Sequence, residues 1–168
     1  EKKLNNELSI INDKSIILPL GEVKITRKVT SVLVILRVNT NIEIWDQNKK
    51  RLFELPKIEY TLRSLNSLIK SINFSKNKYP NIKFNIIIID DNSKEENISK
   101  IDKLIAKSNI KIDLINLNKN DYKKIIKEQK SDQTFSNLSS LFKCYEVAKS
   151  KCDDLVFFVE DDYLHFEP

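Results

Sequence analysis

Apolar runs and segments with apolar residues at every third or fourth position alternate along this chain. Residues 30–38, TSVLVILRV, are almost wholly apolar, as a strand buried on both faces should be. The same holds for 83–90, KFNIIIID, which is also β-branched, and for 110–117, IKIDLINL, and 154–160, DLVFFVE. Between these strands the period changes. Leu62, Leu65, Leu68, Ile69 and Ile72 share one face of a helix over 59–73. Ile98, Ile101, Leu104 and Ile105 do so over 94–107, where Ser93 and Glu96 have the spacing of a capping box. Leu138, Leu141, Phe142, Tyr145 and Ala148 give the inner face of a helix over 137–150 capped by Ser136, and a weaker helix is expected over 121–130. Tyr79-Pro80-Asn81 breaks the chain before the second strand. Residues 1–28 read as an N-terminal extension, with a short hairpin over 15–26 about Pro19 and Gly21, and residues 29–168 as the main unit.

The order β-α-β-α-β-α-β predicts an α/β fold: a mostly parallel sheet with helices on both faces. Ligands in such sheets bind beyond the carboxyl ends of the strands. Two acidic clusters stand at those ends. The run 83–90 finishes in Asp90, Asp91, Asn92 and Ser93, and the run 154–160 in Glu160, Asp161 and Asp162. Parallel strands put both clusters on one rim, although some 70 residues separate them in the chain. Neighbouring carboxylates repel each other, and a hard divalent cation such as Mg²⁺ or Mn²⁺ relieves that repulsion. Such ions use one or two carboxylates and leave the rest of their shell to water and phosphate oxygens. A phosphate-bearing ligand is therefore the expected guest. Residues 39–58, polar and containing Trp45 and Pro56, exceed a normal strand–helix connection and suggest a functional loop. Trp45 is read as the loop's anchor on the core.

Composition narrows the classes. Ile, Lys and Asn dominate and Gly occurs once, a bias of A/T-rich codons that weakens any inference from lysine abundance. The net charge is +5, yet residues 153–168 carry six acids and neither Lys nor Arg. A basic body attracts phosphates, but no aromatic residues interleave the lysines, so nucleic acid is not expected. No run approaches the ~18 apolar residues of a membrane span, and no signal peptide is visible. Two cysteines, Cys144 and Cys152, fit reduced thiols in a cytoplasmic setting, with no histidine beside them to make a nucleophile. The chain begins at Glu1 and contains no Met, which reads as a fragment or a processed chain. His165, the only histidine, reads as a surface residue beside the acidic turn.

The series VLVIL, IIIIDDNS, SNLSSLFKCYEVAKS and LVFFVEDDYL, over about residues 30–166, resembles the nucleotide-binding half of GT-A glycosyltransferases, family 2 in particular. VEDDYL is similar to the EDD version of the DxD motif in the N-acetylglucosaminyltransferase I group. The resemblance implies a metal-dependent enzyme that moves a sugar from a nucleoside diphosphate sugar to an acceptor, here a glycan, lipid or protein. It implies that Asp90 or Asp91 meets the base or ribose, that Glu160 and Asp161 lie around the ribose and diphosphate, and that Asp162 is the ligand of Mn²⁺ or Mg²⁺. Asn137 matches the Asn heading the helix before the DxD strand. Asn92 stands where the family has Gly, and Asn tolerates a left-handed backbone better than most residues. The first strand runs into Arg37-Val38-Asn39-Thr40-Asn41, without the family's Pro and Tyr. The base that deprotonates the acceptor lies in that family well past the DxD motif, which places it beyond Pro168. A GT-A unit incomplete at its C-terminus, and inactive by itself, is the corresponding expectation, as is a cytoplasmic place with peripheral membrane contact.

Two other readings compete. One is a non-catalytic nucleotide- or sugar-binding module on the same fold. The other is a receiver-type phosphoacceptor domain, whose Asp pair also ends an apolar strand. There the phosphorylated Asp ends a later strand about 45 residues on, and Asp132 lies near that distance, but EQKSDQTF is no buried strand.

Overall fold

The computed structural model describes residues 11–12, 14–17, 21–24, 26–41, 55–127 and 131–166. Trp45, most of the 39–58 loop, Pro19 and Pro168 lie outside them. Two short strands, β1 (Lys14–Ile17) and β2 (Gly21–Lys24), pair antiparallel, and the turn about Pro19 expected between them lies outside the described residues. The main sheet comprises β3 (Ser31–Val38), β4 (Lys83–Asp90), β5 (Ile112–Asn116) and β6 (Leu155–Glu160), in the order β5-β4-β3-β6 and parallel throughout. The central pair β3 and β4 is the most apolar, because both faces of these strands are covered. The fold is thus the α/β class read from the sequence.

Strand alternation divides the core into two layers. Val34, Leu36, Ile86 and Ile88 face α1 (Lys57–Lys78) and α2 (Glu95–Ile105), packing with Leu65, Leu68, Ile72 and Ile101. Leu33, Ile35, Ile87 and Ile89 face α3 (Asp132–Lys151) and meet Cys144 and Val147. Each buried side chain of this size contributes roughly 1.5–3 kcal/mol, so these layers carry the stability of the fold. β6 is an edge strand, and Leu155, Val156, Phe157 and Phe158 remain 37–47% exposed.

Several boundaries differ from the sequence reading. α1 starts two residues earlier than expected and runs five further, ending before Tyr79-Pro80. Ser93 does not cap α2; Lys94 takes the N-cap position, and the Ser93 hydroxyl accepts a hydrogen bond from the Thr40 amide at 3.1 Å. Ser131, not Ser136, caps α3, its hydroxyl accepting from the Thr134 amide at 3.2 Å. The inner face of α3 is Ser136, Ser139, Ser140, Cys144 and Val147, while Phe142 and Tyr145 are exposed. Small residues let the helix approach the sheet and offer hydroxyls to polar groups there. The two aromatics flank that face, Phe142 stacked on Tyr122 and Tyr145 edge-on to Phe158. In place of the weaker helix over 121–130, the described part forms a 3₁₀ turn, Lys119–Tyr122, with Asn118 as its cap. Asn, Asp and Lys in this stretch favour local side-chain bonds over a longer helix.

Candidate functional site

β4 and β6 flank β3, so their carboxyl ends stand two strand spacings apart, roughly 10 Å. The register aligns Val38 with Asp90 and Arg37 with Glu160. The acids of both ends therefore share one rim. Their alternation sorts them. Asp90 continues the row of Ile86 and Ile88 toward α1 and α2, and Asp161 continues that of Val159. Asp91 and Glu160 project to the α3 side, where an open cavity of about 380 Å³ lies. Arg37, Asn39, Lys57, Asp91, Gln133, Asn137, Ser140, Glu160, Asp161 and Asp162 line it. This volume falls within the range of small-molecule pockets.

Asp90 and Asp91 are both buried, in different ways. One oxygen of Asp90 accepts the Ser93 amide at 3.0 Å, closing a turn through Asn92, while the other, buried, has no hydrogen-bond partner among the described residues. Asn92 has φ 63°, the left-handed turn foreseen for a residue replacing Gly. Burial raises the Asp90 carboxyl above its ordinary pKa despite the Ser93 bonds, and the charges of Asp91 and Asp161 raise it further. Asp91 is held from three elements. Asn39 donates to it at 3.2 Å, the Ser136 hydroxyl donates to the same oxygen, and Lys119 pairs with its other oxygen at 2.7 Å.

At the other end Glu160 pairs with Arg37. That guanidinium also donates to the Asn137 side-chain oxygen at 2.8 Å and to Ser140 at 3.3 Å. Asp161 is buried and bound by α1: Lys57 pairs with one oxygen at 2.7 Å, and the Thr61 hydroxyl donates to the other at 2.7 Å. Asp162 is exposed and has no ion pair or hydrogen bond among the described residues.

The sequence reading missed Arg37, Lys57 and Lys119. Arg37 had a signal, being the one charge inside an apolar strand. Lys57 and Lys119 had none among so many lysines. His165 is partly buried rather than a surface residue. Its amide donates to Ser67 at 3.0 Å, its ring meets Phe157 edge-on, and burial lowers its pKa. Cys144 is a buried thiol pushed up to about 11 by burial, which fits packing and not chemistry. Asp132 opens α3 and ends no strand, so the receiver reading has no phosphoacceptor there.

The donor set on the rim is all oxygen, the chemistry of Mg²⁺ or Mn²⁺. Among the described residues no three His, Cys, Asp or Glu side chains come together as a complete metal site. Asp162, exposed on the cavity and without a partner among the described residues, with Glu160 two positions before it, fits an ion whose remaining ligands come from a phosphate-bearing guest.

No protein-family model matches the chain, and no curated protein matches it. Two solved structures are similar. S. aureus TarS residues 1–349 is 20% identical with a TM-score of 0.39, over 79% of this chain and 27% of that one. S. aureus TarS is 18% identical with a TM-score of 0.40, over 82% of this chain and 18% of that one. The chain spans about a quarter or less of either. Likeness this distant says nothing about activity, and the α/β fold rests on the strand order and register of the chain itself.

Proposed function

We propose that this chain carries the donor-binding half of a metal-dependent glycosyltransferase of GT-A type, family 2-like. The rim holding Asp90, Asp91, Glu160 and Asp161 takes a nucleoside diphosphate sugar, with Asp162 on Mn²⁺ or Mg²⁺. One observation carries the reading: acids from two strand ends, remote in sequence, meet at one cavity on the carboxyl edge of a parallel sheet. Asp91, fixed by Asn39, Ser136 and Lys119, is a rigid acceptor suited to base or ribose donors. Arg37, held by Asn137 and Ser140, and Lys57 stand on the same wall and offset part of its carboxylate charge, which with a bound cation leaves room for a diphosphate. A bound cation supplies Lewis-acid stabilisation of the charge that develops on the leaving diphosphate. The acceptor, a glycan, lipid or protein, and the base that deprotonates it are not assigned to any residue here. The reading implies a cytoplasmic protein, with any membrane contact peripheral; no described helix is long and apolar enough to cross a membrane.

A non-catalytic nucleotide- or sugar-binding module keeps a place because Asp91, Glu160 and Asp161 each already have a protein cation. Calorimetric titration of nucleoside diphosphates with and without Mn²⁺ separates the two. Binding that needs Mn²⁺ supports the transferase reading. Binding indifferent to the metal, or no binding of any nucleoside diphosphate with Mn²⁺, favours the module and overturns the transferase reading.

A further inference from the structure

Asp161 occupies the middle of the acidic turn, and the resemblance gives it the same task as Glu160, contact with the bound donor. Its surroundings differ from those of Glu160 and Asp162. Strand alternation turns it away from α3 and onto the first turns of α1. Both its oxygens are engaged there, one by Lys57 and the other by Thr61, each at 2.7 Å. Thr61 is fully buried, and its hydroxyl also reaches the Lys57 carbonyl at 3.3 Å. The N-cap residue of α1 is Pro56, which makes no side-chain cap bond. A carboxylate at this end complements the partial positive charge of the helix start. Glu160 and Asp162, one position to either side, are exposed on the cavity.

We propose that Asp161 is a positioning residue: the Lys57–Asp161–Thr61 latch pins the acidic turn to α1 and so aims Glu160 and Asp162 into the cavity. Asp161 and Lys57 border the cavity themselves, but both oxygens of the carboxylate are engaged by the protein, so its effect on the donor runs through the placing of its neighbours. For ligand binding the proposal rests on the donor-binding reading above. Its structural half stands without it.

The test uses Asp161→Asn, Thr61→Val, which keeps shape and removes the hydroxyl, and Thr61→Ser, which restores it. In ligand-free protein a latch predicts that Asp161→Asn and Thr61→Val each lower the thermal midpoint by about 3–10 °C, and that Thr61→Ser recovers most of it. A carboxylate kept for a ligand among other carboxylates predicts the reverse, a midpoint raised or unchanged in Asp161→Asn, and that result overturns the proposal. Amide NMR signals of Glu160 and Asp162 should move in Thr61→Val and return in Thr61→Ser, while those of Asp91 and Asn92 stay; unmoved Glu160 and Asp162 signals also overturn it. With Mn²⁺ and a nucleoside diphosphate present, Thr61→Val should bind about 3–10-fold more weakly though Thr61 is not on the cavity wall. Wild type that binds no nucleotide defeats the donor-binding reading, whereas the thermal and NMR results still decide the latch.

Discussion

The acidic ends of β4 and β6 are built from the same residue types and open on the same rim, but they are held differently. At β4 the turn is internal: Asp90 closes it on Ser93, Asn92 takes a left-handed conformation, and Asp91 is fixed by Asn39, Ser136 and Lys119. At β6 no described residue has a positive φ, and the turn is tied from outside by Lys57 and Thr61 of α1. The outermost acid there, Asp162, is exposed and has no ion pair or hydrogen bond among the described residues. One end is thus a preorganised acceptor, and the other presents an exposed carboxylate with no partner among the described residues. A nucleotide's neutral donors suit the first and a hydrated cation the second.

The largest effect that this contrast predicts is at Asp162. Asp162→Ala should abolish Mn²⁺-dependent nucleotide binding, a loss beyond about 100-fold by calorimetry, with little change in the thermal midpoint because the side chain bonds to nothing described. A variant that retains metal-dependent affinity would erase the distinction between the ends. Next comes Asp91→Asn, which leaves Lys119 without its counter-charge. It should lower stability by about 1–3 kcal/mol in denaturant unfolding and weaken nucleotide binding whether or not Mn²⁺ is present. A purely metal-linked defect would move Asp91 into the role given to Asp162.

Asp90 offers a pH-dependent test. Its folded pKa is raised by burial, so between the unfolded value of 3.8 and the folded one the native state binds more protons. Its charge therefore works against the fold above the folded pKa, and that penalty fades as pH falls. Asp90→Asn, whose carbonyl can still accept the Ser93 amide, should be more stable than wild type at pH 7. The gap should narrow toward pH 4. A gap that widens on acidification would mean that Asp90 gains from its charge, as a ligand-free anion-stabilising turn would require. The smallest effect is at Asn92. Asn92→Gly should change stability by less than about 1 kcal/mol, whereas Asn92→Val should cost more, since a β-branched residue fits a positive φ poorly. Equal behaviour of Gly and Val would show that the β4 turn is not held left-handed in solution.

The strands were the most legible part of the chain, because a parallel strand covered on both faces leaves an uninterrupted apolar run. All four runs became strands of one parallel sheet. The two acidic ends were legible for the same reason, since parallel direction alone sends them to one rim. The caps were less so. Ser93 and Ser136 look like helix starters in sequence, but their hydroxyls serve Thr40 and Asp91, tertiary partners that local patterning cannot reveal. The inner face of α3 is not the one its largest apolar residues predict. The sheet side instead carries Ser139, Ser140 and Cys144, small enough to let the helix approach Arg37 and Asp91. Lys57 and Lys119 were invisible against the lysine-rich background, and only the distances to Asp161 and Asp91 single them out.

The central claim is that both acidic ends serve one metal–nucleotide guest. Paramagnetic Mn²⁺ added with a nucleoside diphosphate to ¹⁵N-labelled protein tests it in a single titration. Amide signals of Asp91–Ser93 and of Asp161–Tyr163 should broaden together at the same nucleotide concentration, and neither set should respond to the nucleotide with Mg²⁺ in place of Mn²⁺ by broadening. Broadening at only one of the two ends, or at neither, would contradict the account.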